Sequence, residues 1–233
     1  MARPDVQRYS IRTGSGIDRV MTMYDLVIFD LDGTIINSAP ALIRTSKEVQ
    51  AEMGLPPLPD EVLRESIGMN IIDSMRINYG ADEALALDFA RRFFKCYSEK
   101  HCMEVETFEG IVDTIETISR SKLTAIATNN GIDSTVGIVE SLGMSSFFTE
   151  VRGVISSGSP TKAEMILDIL GVTGTDVSKA VMVGDSLSDY AAASEAGVDF
   201  IGALYGYTPD VLRKIPGIGC IENPQDLLEL LQI

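Results

Sequence analysis

The chain has 233 residues, 45% of them hydrophobic and 23% charged, an ordinary globular profile with enough length for one domain or two. Its formal net charge of −15 works against nucleic acid or an anionic membrane as partner, so an anionic substrate needs a local positive site. Three cysteines, Cys96, Cys102 and Cys220, lack metal-ligand spacing and cannot all pair within the chain, which fits a reducing, cytoplasmic setting; no apolar run is long enough to span a bilayer.

Residues 1–20 carry Arg3, Arg8, Arg12 and Arg19 around Gly14-Ser15-Gly16, without the apolar core of a secretory signal. Met21 and Met23 stand directly before the first strand, so residues 1–22 are expected to form a tail outside the fold. Leu26-Val27-Ile28-Phe29 reads as a buried parallel strand, and it runs into Asp30-Leu31-Asp32-Gly33-Thr34. Two carboxylates held together at a strand end require a cation, a shared proton or both. Asp-Gly is also a common turn, so this pair alone decides nothing.

Asn37-Ser38-Ala39-Pro40 is a helix-start signal, followed by a helical pattern from Pro40 to Met53. Gly54 to Pro59 breaks it, Asp60 can cap a helix through Ser66, and Gly68-Met69-Asn70 is a second break. Helices are expected over 71–79 and over about 82–101, the latter with Leu85, Phe89, Phe93, Phe94 and Tyr97 as its apolar stripe. No convincing strand falls between Pro40 and His101. This predicts an all-helical cap over 37–106, hinged near Asn37 and Thr107, with a core made of 23–36 and 107–233. His101, the only histidine, sits beside Lys100 at a helix end and reads as a solvated residue that suits the helix C-terminus.

From Phe108 onward, strand and helix alternate. Strands are expected at Leu123–Ala127, Val151–Ile155, Ala180–Gly184 and Val198–Ala203, with a weaker one at Ile218–Ile221. Helices follow at 111–121, 134–142, 162–170, 186–196 and 225–231. The fold class is therefore α/β, a doubly wound parallel sheet with an inserted helical cap. Polar clusters stand at or just after strand ends: Asp30/Asp32, Thr128/Asn129, Lys162 and Asp185/Asp189. Strand ends in such sheets share one rim, so these groups can converge on a crevice. Each has a plain alternative, such as Asp185 capping the next helix. Lys162 opposes the dipole of the helix it opens, which makes sense if it faces an anion.

Taken together, Asp30-Leu31-Asp32-Gly33-Thr34, Thr128-Asn129, Lys162 and Gly184-Asp185-Ser186-Leu187-Ser188-Asp189 resemble the motifs of haloacid-dehalogenase-superfamily phosphatases. The phosphoglycolate-phosphatase-like members with a helical cap are the most similar, and the resemblance runs from Tyr24 to the end. One departure is Ser159-Pro160-Thr161-Lys162, where many relatives place Pro next to the lysine. The resemblance implies Mg2+ as cofactor and a small phosphorylated metabolite as substrate. It implies that Asp30 attacks phosphorus to give an aspartyl-phosphate and that Asp32 is the acid and base. It also implies Mg2+ held by Asp30, the Asp32 carbonyl and Asp185, with Asp189 acting behind them or through water. Thr128 and Asn129 would bind phosphoryl oxygens, and Lys162 would bridge phosphate and Asp30.

A sugar-phosphate mutase shares these motifs and stays open as an alternative. So does a non-catalytic phosphoaspartate module, although that needs neither Asp32 nor an inserted cap. The break around Ser66, Gly68 and Asn70 is the candidate for substrate selection, with an ordinary interhelix turn as its plain reading. The physiological ester and the oligomeric state are not encoded in any motif.

Overall fold

The computed structural model describes residues 9–11, 19–21, 24–155 and 160–233. Most of the expected N-terminal tail, and the loop 156–159, lie outside them. Within the tail, β1 (Tyr9–Ile11) and β2 (Arg19–Met21) pair antiparallel as a sheet of their own.

The first core strand is β3 (Leu26–Phe29), every residue of it buried. It is followed by β4 (Ile36–Asn37) and four helices: α1 (Ala39–Glu52), α2 (Asp60–Glu65), α3 (Ile71–Tyr79) and α4 (Glu83–Cys96). A π-helical turn, Tyr97–His101, continues α4, and β5 (Glu106–Thr107) returns the chain to pair antiparallel with β4. The helical cap therefore enters and leaves through one short two-stranded ribbon. Asp60 does not cap α2. Pro59 holds the N-cap position and Asp60 is the first helical residue.

The rest alternates: α5 (Ile111–Ser119), β6 (Leu123–Gly131), α6 (Ile132–Ser141), β7 (Glu150–Val154), α7 (Lys162–Thr173), β8 (Ala180–Gly184), α8 (Leu187–Ala196), β9 (Asp199–Ala203), α9 (Pro209–Leu212), β10 (Gly219–Ile221) and α10 (Asp226–Leu231). Six strands form one parallel sheet in the order β10-β9-β8-β3-β6-β7. Side chains alternate across β3 and so build two cores. Val27 and Phe29 pack with Ile111, Ile115 and Ile118 of α5 and Leu227 of α10. Leu26 and Ile28 pack with Ile166 and Ile169 of α7 and Ala193 of α8.

From β3 the chain moves outward to β6 and β7, then crosses back to β8 on the other side of β3. Strand order reverses there, and such a point opens a crevice at the carboxyl ends of the strands. The cap has its own apolar centre around Val49, Met75, Ala86 and Phe89. A smaller cluster of Ala39, Ile43, Leu63 and Ile67 packs on Tyr207 of the core.

Candidate active site

Register brings the sequence clusters together. Phe29 pairs with Ile126 on one side and Val183 on the other, so Asp30, Thr128 and Asp185 emerge from adjacent central strands. The Asp30 amide donates to the Val183 carbonyl at 2.9 Å. Beyond it the chain folds back on itself, with the Gly33 amide bonded to the Ile36 carbonyl at 2.9 Å. Gly33 has φ +86°, and a Cβ there would fall 2.4 Å from an Asp185 carboxylate oxygen. Conformation and space both require glycine at this position.

Lys162 opens α7 behind a capping box in which Thr161 and Glu164 satisfy the helix start. Its Nζ lies 2.8 Å from Asp30 Oδ1 and 2.5 Å from Asp189 Oδ1, and all three residues are buried. The other Asp189 oxygen accepts from the Ser186 amide and hydroxyl at 3.0 and 2.7 Å. Ser186, not Asp185, is the N-cap of α8. That leaves the Asp185 carboxylate to accept from the Tyr207 amide at 2.7 Å and to face the Thr34 hydroxyl at 3.4 Å.

One atom stands out. Asp30 Oδ2 is buried without a hydrogen-bond partner, which normally costs about 1–3 kcal/mol, more for a charged group. Carboxylate oxygens of Asp30, Asp185 and Asp189 lie within 4.8 Å of one another. With Asp32, the crevice holds an excess of carboxylates over its lysine. Burial, then repulsion from Asp189, pushes the Asp30 carboxyl up to about 7 despite Lys162. Burial likewise raises Asp185, with Asp189 and Asp30 adding to it. The Lys162 pKa is raised too: burial disfavours its charge, but Asp189 and Asp30 hold its ammonium more firmly than usual. A hard divalent cation fits this all-oxygen cluster of carboxylates and would relieve the repulsion among them.

Asp32 is held separately. The Ser38 hydroxyl donates to its Oδ1 and the Asn130 amide to its Oδ2, the latter at 3.1 Å. Burial raises this carboxyl, and those two hydrogen bonds oppose the rise. Ser38 does occupy the N-cap position of α1, yet its side chain makes no cap bond. Neither Ser38 nor Asn130 stood out in the sequence. Ser38 lies where a capping serine is commonplace, and Asn130 sits in Thr128-Asn129-Asn130-Gly131, whose composition also suits a turn. Instead β6 continues to Gly131 through a register shift after Ala127. That irregularity aims Asn130 at Asp32, while the Thr128 hydroxyl accepts from the Asn130 amide N–H at 3.1 Å.

Between core and cap lies a cavity of about 100 Å³, lined on the core side by Asp30, Asp32, Thr128, Asn129, Asn130 and Lys162. Asp185 and Asp189 stand behind that wall. Ser66 and Gly68 line the cavity from the cap. The Asn129 side chain donates to the Gly68 carbonyl at 3.1 Å and reaches Ser188 Oγ at 3.4 Å, so the interhelix break touches the crevice. Asn70 does not enter it. Its side chain accepts from the Ile72 amide at 2.9 Å and caps α3, exposed to solvent.

His101 is also placed differently from its sequence reading. It is buried, with Nε2 3.0 Å from Glu48 Oε1, while Lys100 reaches the other Glu48 oxygen at 2.7 Å. The π-helical turn carries His101 inward against α1 rather than out to solvent. None of these three residues lines the cavity.

With this geometry in hand, comparison with known proteins is decisive on family. The family model described as haloacid dehalogenase-like hydrolase matches residues 27–203. The chain belongs to that family. Among the haloacid dehalogenase-like hydrolases it is 28% identical over 206 residues to a phosphoglycolate phosphatase of Caulobacter vibrioides, covering 83% of this chain and 86% of that one. It is 30% identical over 190 residues to a phosphoglycolate phosphatase of Agrobacterium fabrum, covering 78% and 82%. The fold is shared with a haloacid dehalogenase-like family hydrolase from Streptococcus pneumoniae, at TM-score 0.80, 23% identity and coverage of 90% and 99%. A protein from Clostridium acetobutylicum described as a predicted phosphatase superposes at TM-score 0.85, with 21% identity and coverage of 91% and 100%. Among the described residues, no helix is long and apolar enough to cross a membrane.

Proposed function

We propose that this protein is a Mg2+-dependent phosphatase that hydrolyses a small phosphate monoester through an aspartyl-phosphate at Asp30. The observation that carries the reading is the buried, unpartnered Oδ2 of Asp30, a residue that lines the cavity and whose other carboxylate oxygen is fixed by Lys162. A carboxylate held at one oxygen and open at the other is aimed as a nucleophile. The curated relatives named phosphoglycolate phosphatase support the same class of reaction.

In the first half-reaction, Asp30 Oδ2 bonds to phosphorus as the bond from phosphorus to the ester oxygen breaks. The leaving alkoxide takes a proton from Asp32, whose carboxyl burial favours in the protonated form. In the second, water attacks phosphorus, Asp32 takes the water's proton, and the bond to Asp30 breaks to release inorganic phosphate. The Ser38 hydroxyl can donate to the Asp32 carboxylate or accept from its acid form, so it serves both states. Lys162 neutralises charge at Asp30 and the phosphoryl group, and Thr128 with the Asn129 backbone would bind phosphoryl oxygens. Mg2+ would be held by Asp30, the Asp32 carbonyl and Asp185, with Asp189 orienting Lys162; bound there, it supplies charge neutralisation for the phosphoryl dianion. The cap, taken as residues 37–106, would close over the crevice and exclude water.

The test is turnover of p-nitrophenyl phosphate with and without Mg2+, for the wild type and for Asp30→Asn. Mg2+-dependent turnover that disappears in Asp30→Asn is expected. Persistent turnover in the variant would reject the mechanism.

A further inference from the structure

The part of the cavity that would receive the rest of the substrate is built by the cap, and its chemistry is uneven. Leu42, Ile67, Met69, Met75, Phe89 and Phe93 give it an apolar lining. Phe89 and Phe93 stack with ring centroids 6.2 Å apart. Its polar cap residues are all neutral: Ser46, Gln50, Ser66, Ser74 and Tyr79.

Most of these are already engaged within the cap. Gln50 Oε1 accepts from the Leu58 amide at 3.2 Å, and the Tyr79 hydroxyl donates to the Pro56 carbonyl at 2.8 Å. The Ser66 hydroxyl donates to the Val62 carbonyl at 2.9 Å, and Asn78 donates to Ser66 and Ser74 at 3.0 and 3.3 Å.

Among the described residues lining this cavity, Lys162 is the only cation, and both its ion pairs are with core carboxylates. None of the cap's own cations is among the residues lining this cavity. Arg44, Lys47, Arg76 and Lys100 pair with Glu104, Asp60, Asp73 and Glu48. Arg91 and Lys95 line a neighbouring cleft across Phe94 that contains none of Asp30, Asp32, Thr128 and Lys162.

A carboxylate entering the cap side of the cavity would lose hydration, gain no counter-charge and face a chain of net charge −15. An apolar group would lose nothing there and would displace water from hydrocarbon. We infer that the substrate's leaving group is an uncharged, largely apolar alcohol, alkyl or aryl, and not a carboxylate-bearing one such as glycolate. This rests on the phosphatase reading above and narrows it. The name carried by the relatives then describes their substrate and not the one selected here.

The test compares kcat/KM of the purified full-length protein with Mg2+ on benzyl phosphate and on phosphoglycolate. Both have alkoxide leaving groups, so the comparison isolates the cap side of the ester. Expected is a value at least tenfold higher for benzyl phosphate. Any smaller ratio, with clear turnover of phosphoglycolate, overturns the inference and leaves the phosphatase reading intact. No turnover of either ester, nor of p-nitrophenyl phosphate, rejects the phosphatase reading and the inference with it. Ser46→Arg supplies a second readout by adding a cation to the cavity wall. It should shift the ratio toward phosphoglycolate by tenfold or more, and an unchanged ratio in a folded variant counts against the inference.

Discussion

The crevice of the core and the wall of the cap face each other across one cavity and are built on opposite principles. On the core side, buried carboxylates crowd round a single lysine, and one oxygen is left without a partner. On the cap side, aliphatic and aromatic side chains are interrupted only by neutral polar groups, most of them already bonded to their neighbours. Charge that a folded protein would ordinarily avoid is concentrated where the proposed phosphoryl transfer would use it. The cap carries cation–carboxylate contacts too, but at its exposed surface, as in Lys100–Glu48. On the function proposed above, the difference separates two tasks, with chemistry assigned to the sheet edge and selection of the leaving group to the inserted helices.

The largest break of this contrast is Lys162→Met. Removing one partner of a buried ion pair leaves uncompensated charge, at a cost of about 3–5 kcal/mol. We expect that loss in the urea midpoint at pH 8 without Mg2+, and a fall in kcat of at least about 10²-fold. A midpoint within experimental error of the wild type would mean that the crevice is hydrated and its charges screened.

Ser38→Ala is a smaller probe of the same wall. Ser38 donates to Asp32 but makes no helix-cap bond, so the start of α1 should be unaffected and any loss of stability should come from the Asp32 carboxyl's missing partner. A hydrogen bond to a charged group is worth about 1.5–3 kcal/mol, so kcat on an alkyl phosphate should fall roughly tenfold to a hundredfold. The loss should be smaller on p-nitrophenyl phosphate, whose leaving group needs little protonation. Equal losses on both would place Ser38 outside proton transfer.

The smallest effect belongs to the exposed cap cluster. Hydrogen bonds from Lys100, then His101, hold the Glu48 carboxyl down at about 2 against an ordinary 4.5. A depressed carboxyl stabilises the fold above its unfolded pKa, and that contribution is lost as pH falls from about 4.5 to about 2. Glu48→Gln should therefore lower Tm slightly at pH 6 and not at pH 2. Exposure of the Glu48–Lys100 pair keeps the effect small, and added salt should shrink it further. A pH-independent difference in Tm would point to packing instead of charge.

The βα alternation was legible because buried parallel strands are nearly continuous apolar runs, and Leu26–Phe29 and Ala180–Gly184 appear where those runs stand. Strand-end position then foretold that Asp30, Thr128, Lys162 and Asp185 would meet. What pattern could not show is the direction of polar side chains in irregular backbone. Asn130 reaches Asp32 only because β6 continues past Ala127 with a register shift. Ser38 can cap or donate across the crevice, and Asn70 made the opposite choice and capped its helix. His101 was misread because the α-helical period does not anticipate a π-helical turn. Tyr207 stands 22 residues beyond the Asp185 carboxylate that its amide contacts, and no local motif links the two.

The central claim is that Asp30 carries the phosphoryl group. It is tested most directly by acid-quenching the enzyme within one turnover of a phosphate ester labelled with 32P, in the presence of Mg2+, and mapping the label by peptide mass spectrometry. The account predicts covalent label on the peptide containing Asp30, lost in alkaline hydroxylamine and absent from Asp30→Asn. Full turnover with no labelled protein, or label on any other residue, would contradict it.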